Sequence, residues 1–411
     1  MMKKNVALEE AQDLLLTMAC PVKECQIPLF DAVGRVLSRE IKAPINLPPF
    51  DRSPLDGYAV RAQDTEKASE EEPVVLEVIE EVAAGHTARR KVTAKTAIKV
   101  MTGTPIPAGA DAVIKYEDVT RAANICKLFY PLKPGSNIVR AGEDVKAGEV
   151  IAEQGALVSP ALVGLIAALG FAEVTVYNKV KIAVISTGDE LVDSSQPLRP
   201  GKIYNSNLPS LVAACLKLGA QITALGNVPD ELDSIADIIS LGLADADIVL
   251  TTGGVSVGDY DVVPDALARL GVNMIYRGVD MKPGSPAVAA EYNNKFIICL
   301  SGNPAAALIT FELIAVPLIK KKMGLTSHLP ARLEAVLDED FTKPSPQRRF
   351  LRGRFHVTEG TNYVALTGEQ SNGVLKSLVN CNAYIDVPAG SGQMRAGQDV
   401  SVLIVGDVFG L

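Results

Sequence analysis

At 411 residues, 48% of them hydrophobic, the chain is long enough for about two to four domains, each with its own core. Its 40 Lys and Arg against 48 Asp and Glu leave a formal charge of −8, the wrong sign for a protein whose main contacts are nucleic-acid phosphates, so a small-molecule partner is expected. Six scattered cysteines (Cys20, Cys25, Cys126, Cys215, Cys299, Cys381) form no C-x-x-C pair and no metal-like spacing with histidine, which reads as a reduced, cytoplasmic protein.

The opening MMKKNVALEEAQDLLL breaks its apolar residues with acids where a signal peptide needs a continuous run, while Leu8, Ala11, Leu15 and Met18 fall at helical spacing. DAVGRVLSREI continues the helical reading up to the proline-rich break APINLPPF at 43–50. From 51 to about 145 the texture changes to short β-branched runs, PVVLEVI, TAIKVMTG and ADAVIKYEDV, predicting a small β-rich unit. The apolar run ALVGLIAALGFA from Ala161 is too short to span a bilayer and is bracketed by Ser159-Pro160 and Gly170, so it predicts a core helix and no membrane association. It is more like the opening tract than like what precedes it, which makes the β-rich unit an insertion into a helical one.

Residues 180–323 alternate buried strands (VKIAVIST, QITALG, ADIVLTT, VNMIYRG, KFIICLS) with helices such as NLPSLVAACLKLG and DELDSIADIISLGL, the rhythm of a doubly wound α/β domain. From about 328 onward, short strands and turns predict a small β-barrel or sandwich.

Four loops each follow a predicted strand: STGDEL at 186, TTGGVSVGDYD at 251, MKPGSP at 281 and LSGNPAAA at 300. In an open α/β sheet such loops share one edge, where ligands bind. Glycines let backbone N–H groups approach a ligand, and Asn303-Pro304 sets up a helix start that favours an anion. A single such loop is just a turn; four on one edge point to a pocket. Carboxylates beside an anion site (Asp259, Asp261, Glu190) raise the energy of the complex unless a divalent cation bridges them or a donor-rich heterocycle meets them. That leaves Mg²⁺ with phosphate, or a purine- or pterin-like ligand, against the plainer reading in which the acids cap the helix near Pro264. Gly254-Val255-Ser256-Val257-Gly258 also satisfies the G-x-S-x-G pattern of serine hydrolases. The strand, however, ends near Thr252 while helical residues resume only around Pro264, and just His328 and His356 follow as bases.

FDRSPLDGYAV (50–60), MTGTPIPAGADAVI (101–114), VRAGEDVKAGEVI (139–151), STGDEL, GGVSVGDYD, KPGSP and SGNPAAA occur in the order found in the MoeA family of molybdopterin molybdenumtransferases, which includes the carboxyl-terminal part of gephyrin, and the chain resembles that family over nearly its whole length. The resemblance implies a multidomain α/β plus β fold. Its parts are a discontinuous helical domain (1–46 and 146–177), a β-rich domain (47–145), a molybdopterin-binding α/β domain (178–327) and a C-terminal β-barrel (328–411). It also implies insertion of molybdate into adenylylated molybdopterin with Mg²⁺-assisted release of AMP. The enzyme would be a homodimer whose cleft lies between the α/β domain of one subunit and the β-rich domain of the other, with the molybdopterin adenylyltransferase as a candidate partner.

Carried over residue by residue, it points to Asp56, Thr102 and Asp144 on the β-rich side and to Glu190, Asp230, Asp261 and Lys282 on the α/β side, with Glu190 and Asp261 as metal ligands. Gly188, Gly253, Gly254, Ser256, Gly258, Gly284, Ser285, Gly302, Asn303 and Pro304 form the substrate loops. Arg352, Gln370, Ser371, Ser377 and Asn382 resemble parts of the family's terminal barrel. Taken singly, Asp56 reads as a turn residue, Asp230 as a helix cap and Lys282 as a solvated charge. The chain departs from the family pattern at Ser285, where many members carry a second lysine, and at Ser301, where many carry proline. Serine at 285 weakens oxyanion binding unless Arg277 or Lys295 supplies the charge. A molybdopterin adenylyltransferase and a non-catalytic scaffold are the rival readings.

Overall fold

A computed structural model describes residues 2–255 and 262–406. Its α/β unit is a seven-stranded sheet in the order Lys3–Val6, Asn273–Val279, Val288–Tyr292, Lys295–Leu300, Ile248–Thr252, Lys181–Thr187, Gln221–Val228. Only Val288–Tyr292 runs antiparallel to its neighbours. The central strands read as continuous apolar runs because both their faces are covered. Helix Asn207–Lys217 and the helical run from Pro304 to Lys322 pack on one face, joining Leu211, Cys215, Phe311 and Leu318 to Ile182, Ile248 and Ile298. Leu232–Asp245 and Val263–Arg269 cover the other, where Ile239 and Leu267 meet Ala183, Val249 and Ile297. This is the doubly wound arrangement the sequence predicts.

The opening tract differs from its expectation. Strand Lys3–Val6 and helix Leu8–Met18 belong to the α/β sheet rather than to a helical unit: Leu8, Ala11 and Leu15 are buried in the core around Phe311, and Gln12 Nε2 donates to the Leu313 carbonyl at 2.7 Å. Nor is DAVGRVLSREI a helix. Leu29–Asp31 makes one short 3₁₀ turn, Gly34 sits at φ 76°, and Val36 and Leu37 bridge to Leu157 and Val176. Ala32, Leu37 and Ile41 serve a core shared with Val158, Ile166 and Val174, so tertiary pairing overrides the helical spacing. Around it lie the helix Pro160–Ala168, with Ser159 Oγ accepting from Leu162 N and proline in the first turn, and two short ladders.

The β-rich unit is a six-stranded sheet in the order Ala112–Lys115, Gly57–Val60, Thr96–Val100, Val74–Val82, Ile125–Leu128, Val119–Ala122. The last tract closes into a five-stranded barrel of Ala331–Leu337, Thr361–Leu366, Arg349–Thr358, Ala383–Val387 and Asp399–Ile404. All six cysteines are free, and no helix among the described residues is long and apolar enough to cross a membrane.

Candidate active site

The loops that follow the parallel strands converge on a cleft of about 620 Å³. Ten of the residues singled out from the sequence stand in its wall: Glu190, Asp230, Gly253, Gly254, Lys282, Gly284, Ser285, Gly302, Asn303 and Pro304. Gly253 holds φ 100°, and a Cβ there would lie 2.3 Å from the Thr187 carbonyl oxygen, so no other residue fits between the two strand ends. At Gly188 a Cβ would fall 2.6 Å from Glu190 Oε2, which makes the glycine the space in which that carboxylate sits.

Asn207, at the first turn of its helix, fastens the floor: its Nδ2 donates to Thr252 Oγ1 and to the Gly302 carbonyl, both at 2.8 Å, and Thr252 Oγ1 donates to the Ser301 carbonyl at 2.9 Å. Ser301 accepts from Asn303 N at 3.2 Å through its hydroxyl. Beyond Asn303 the helical run begins at Pro304, and one of its first amides, Ala305 N, donates to the Asn372 carbonyl of the barrel tract at 3.1 Å. Pro304 has no N–H and Ala307 N bonds the Asn303 carbonyl, so the Ala306 amide and the helix dipole present the positive end to the cleft.

Lys282 is set by the barrel. Its N donates to the Arg348 carbonyl and its carbonyl accepts from Phe350 N, each at 2.8 Å, while the amine stays exposed. Ser285 spends its hydroxyl proton on the Met281 carbonyl at 2.5 Å, which leaves Lys282 as the cation of this loop. Lys295 cannot substitute for a lysine at 285. It lies at the opposite end of the sheet with its amine on the Leu243 and Ala244 carbonyls. Arg277 is near, lining a cavity that shares Val255, Ser285 and Pro286 with the cleft.

The acids form the other wall. Asp230 is half-buried, and its Oδ1, like the Thr187 hydroxyl, is buried without a hydrogen-bond partner among the described residues. Burial pushes the Asp230 carboxyl above the ordinary aspartate range, the nearby Thr187 side chain and Asp189 backbone oppose this, and the Glu190 and Asp189 carboxylates add to it, with the net shift upward. No three His, Cys, Asp or Glu side chains among the described residues form a metal cage. Mg²⁺ does not need one, since it is commonly bound by one or two carboxylates together with substrate phosphates and water, and the orphaned Asp230 oxygen beside Glu190 fits that chemistry. Asp261, Ser256 and Gly258, with Asp259, lie outside the described residues.

Asp56 and Thr102 are brought together in the β-rich unit, where Thr102 N and Oγ1 both donate to Asp56 Oδ1, at 2.7 and 2.8 Å. These bonds, the amide's first, hold the exposed carboxyl below the usual aspartate range. Asp144 sits in a turn pinned by Asp51, which accepts from Arg140 Nη1 at 2.6 Å and from Ala141 N at 2.8 Å. None of the three stands in the wall of this chain's own cleft. Among the described residues no base serves a serine nucleophile there: His356 pairs with Asp338 at 3.8 Å in the barrel, and His328 lines a different cavity.

Sequence reasoning missed Thr187, Asn207 and Asn372. The tract Asn205-Ser206-Asn207 at a helix start was the available signal for Asn207, although it reads equally as a cap. For Asn372, which arrives from another domain, there was none.

Three family models match in order: the MoeA N-terminal region (domain I and II) over residues 6–170, a probable molybdopterin binding domain over 183–321, and the MoeA C-terminal region (domain IV) over 334–405. The molybdopterin molybdenumtransferase of Bacillus subtilis is 39% identical over 385 residues, 92% of this chain and 89% of that protein. The Staphylococcus epidermidis protein of the same name is 33% identical over 399 residues, 97% and 95% of the two chains. Two crystal structures of a molybdopterin biosynthesis MoeA protein from Pyrococcus horikoshii superpose with TM-scores of 0.87 and 0.83 at 30% and 34% identity, covering 98% and 97% of this chain and 100% of each of theirs. With similarity of this grade running from one end of the sequence to the other, the chain belongs to the MoeA family of molybdopterin molybdenumtransferases.

Proposed function

We propose that the chain inserts molybdenum from molybdate into adenylylated molybdopterin and releases AMP. The observation that supports this best is the division of one cleft into an anion-accepting wall (Lys282, the glycine loops and the helix start at Pro304) and a carboxylate wall in which Asp230 carries an unpartnered oxygen. Glu190 and Asp230, with Asp261 from the sequence pattern, would hold Mg²⁺, which supplies charge neutralisation at the phosphoanhydride when bound. The Gly254 and Gly302 amides orient the phosphates, Lys282 attracts the oxyanion and offsets charge on the departing AMP, and Asn207 keeps the two strand-end loops in register. No protein nucleophile is needed.

The four-part domain division belongs to this reading, with residues 3–18 transferred to the α/β domain, as does a cytoplasmic enzyme supplied by the adenylyltransferase. So does a homodimer with shared clefts. Asp56 is preorganised by Thr102 and exposed yet absent from its own chain's cleft, as a residue offered to a second copy would be. Incubating pure protein with adenylylated molybdopterin, molybdate and Mg²⁺ and assaying AMP tests the chemistry: release that depends on molybdate supports it, whereas adenylylation from ATP supports the adenylyltransferase. For the shared cleft, Asp56→Ala and Glu190→Ala variants, each inactive alone, should regain activity when mixed. Exchange of subunits without recovery of activity rules the arrangement out.

A further inference from the structure

Beside the cleft, across the loop of Ser285 and Pro286, lies a second cavity of about 360 Å³, bordered by Lys4, Asn5, Arg277 and Gly278. Lys4, on the edge strand, and Arg277, on the parallel strand beside it, are register partners, so two exposed cations stand side by side on one face of the sheet. Like charges in that position repel, an effect that solvent and salt screen in part because both side chains are exposed. Their neighbour Lys3, on the opposite face, is paired with Glu10 at 2.6 Å. No hydrogen bond or ion pair neutralises either Lys4 or Arg277 among the described residues. Gly278 adds room for a polar neighbour, since a Cβ there would lie 2.3 Å from Asn5 Oδ1.

We propose that Lys4 and Arg277 form a holding site for a tetrahedral dianionic oxyanion, with molybdate as its occupant, one loop away from the substrate cleft. An unpaired cation pair is stabilised by a dianion, and Val255, Ser285 and Pro286 are common to both spaces, so an anion held here waits beside the loop that carries Lys282. The identity of the anion rests on the transferase reading; the existence of the site does not.

The test is equilibrium dialysis of the full chain against molybdate at low ionic strength, with bound metal counted by mass spectrometry, for wild type, a Lys4→Gln/Arg277→Gln double variant and the charge-keeping Arg277→Lys. The double variant should bind molybdate about tenfold more weakly or lose one equivalent, and Arg277→Lys should stay within about threefold of wild type. In molybdate-free buffer the double variant should melt no lower than wild type, because a repulsion has been removed, while added molybdate should raise its Tm less. An isotherm identical to wild type, a wild type that binds no molybdate, or a double variant that melts lower without the anion each overturns the site. Phosphate and sulfate as competitors separate a general oxyanion site, if they displace molybdate at equal concentration and so remove molybdate as the assigned occupant, from one selective for it. If AMP release from wild type fails while molybdate binding still depends on the pair, the transferase reading falls and the site stands. If release succeeds and the double variant binds normally, the reverse holds.

Discussion

Asp386, at the seam between the barrel and the first helix, and Asp230, in the cleft, are both carboxylates withdrawn from water, and the chain surrounds them in opposite ways. Asp386 is 8% exposed, and it accepts from Arg348 Nε and Nη2 and from Arg332 Nη1, all at 2.8 Å, while Arg348 Nη1 reaches on to Glu9 of the first helix, also at 2.8 Å. Burial alone would raise its pKa; the two guanidinium groups outweigh burial and hold the carboxyl below the ordinary value. Asp230 has no cation, faces two further acids, keeps one oxygen unpartnered and is raised. A buried carboxylate completed by its own chain is a clamp; one left incomplete is a place for something the chain does not contain.

That contrast can be broken from either side. Asp230→Asn should lower molybdate-dependent AMP release by about a hundredfold or more while leaving the urea-unfolding midpoint equal or slightly higher, because a repulsive charge goes and the amide oxygen can still accept from Thr187 and the Asp189 backbone. A destabilised Asp230→Asn would place the residue with the clamps instead. Arg348→Met should do the opposite, costing about 1.5–3 kcal/mol of stability by leaving Asp386 with Arg332 alone, with the pterin affinity of the folded protein unchanged; urea melts and a binding titration measure the two.

Acid sharpens the same point. Because the folded pKa of Asp386 is depressed, its contribution is present above the unfolded value of about 3.9 and is lost as pH falls through the folded value. Wild type should therefore lose urea resistance between pH 5 and pH 3 more steeply than Arg348→Met, and parallel curves would show that the clamp does not titrate. The smallest effect is expected for Asn207→Ala, which removes two hydrogen bonds between neighbouring strand-end loops: a loss of about 1–2 kcal/mol in the melt, with a roughly five- to tenfold fall in AMP release as the loops lose register.

Much of the α/β unit was legible because its strands are apolar from end to end and its helices amphipathic, so Lys181–Thr187 and Leu232–Asp245 announce themselves. Strand Lys3–Val6 was not, since KKNV carries one apolar residue and its partner lies beyond two other domains. Val288–Tyr292 was overlooked although Asn293 and Asn294, at φ 52° and 61°, form the kind of two-residue connection that marks a hairpin. The cleft's glycine loops could be read because four of them follow strands of one sheet and so share its ligand-binding edge. The hydrogen-bonding of Asn207 and the reach of Asn372 could not, because each depends on a loop brought near only by the finished fold.

The pairing of Lys3–Val6 with Asn273–Val279 also separates the order of synthesis from the order of folding. Strand Lys3–Val6 leaves the ribosome before its partner and has no partner to pair with while the helix-bearing linker and the whole six-stranded unit emerge. Until the two strands pair, Asn273–Val279 is an open template for another chain. A protein lacking residues 2–7 should keep most of its sheet yet self-associate as it refolds, and a synthetic peptide of those residues should suppress that association by taking the vacant edge.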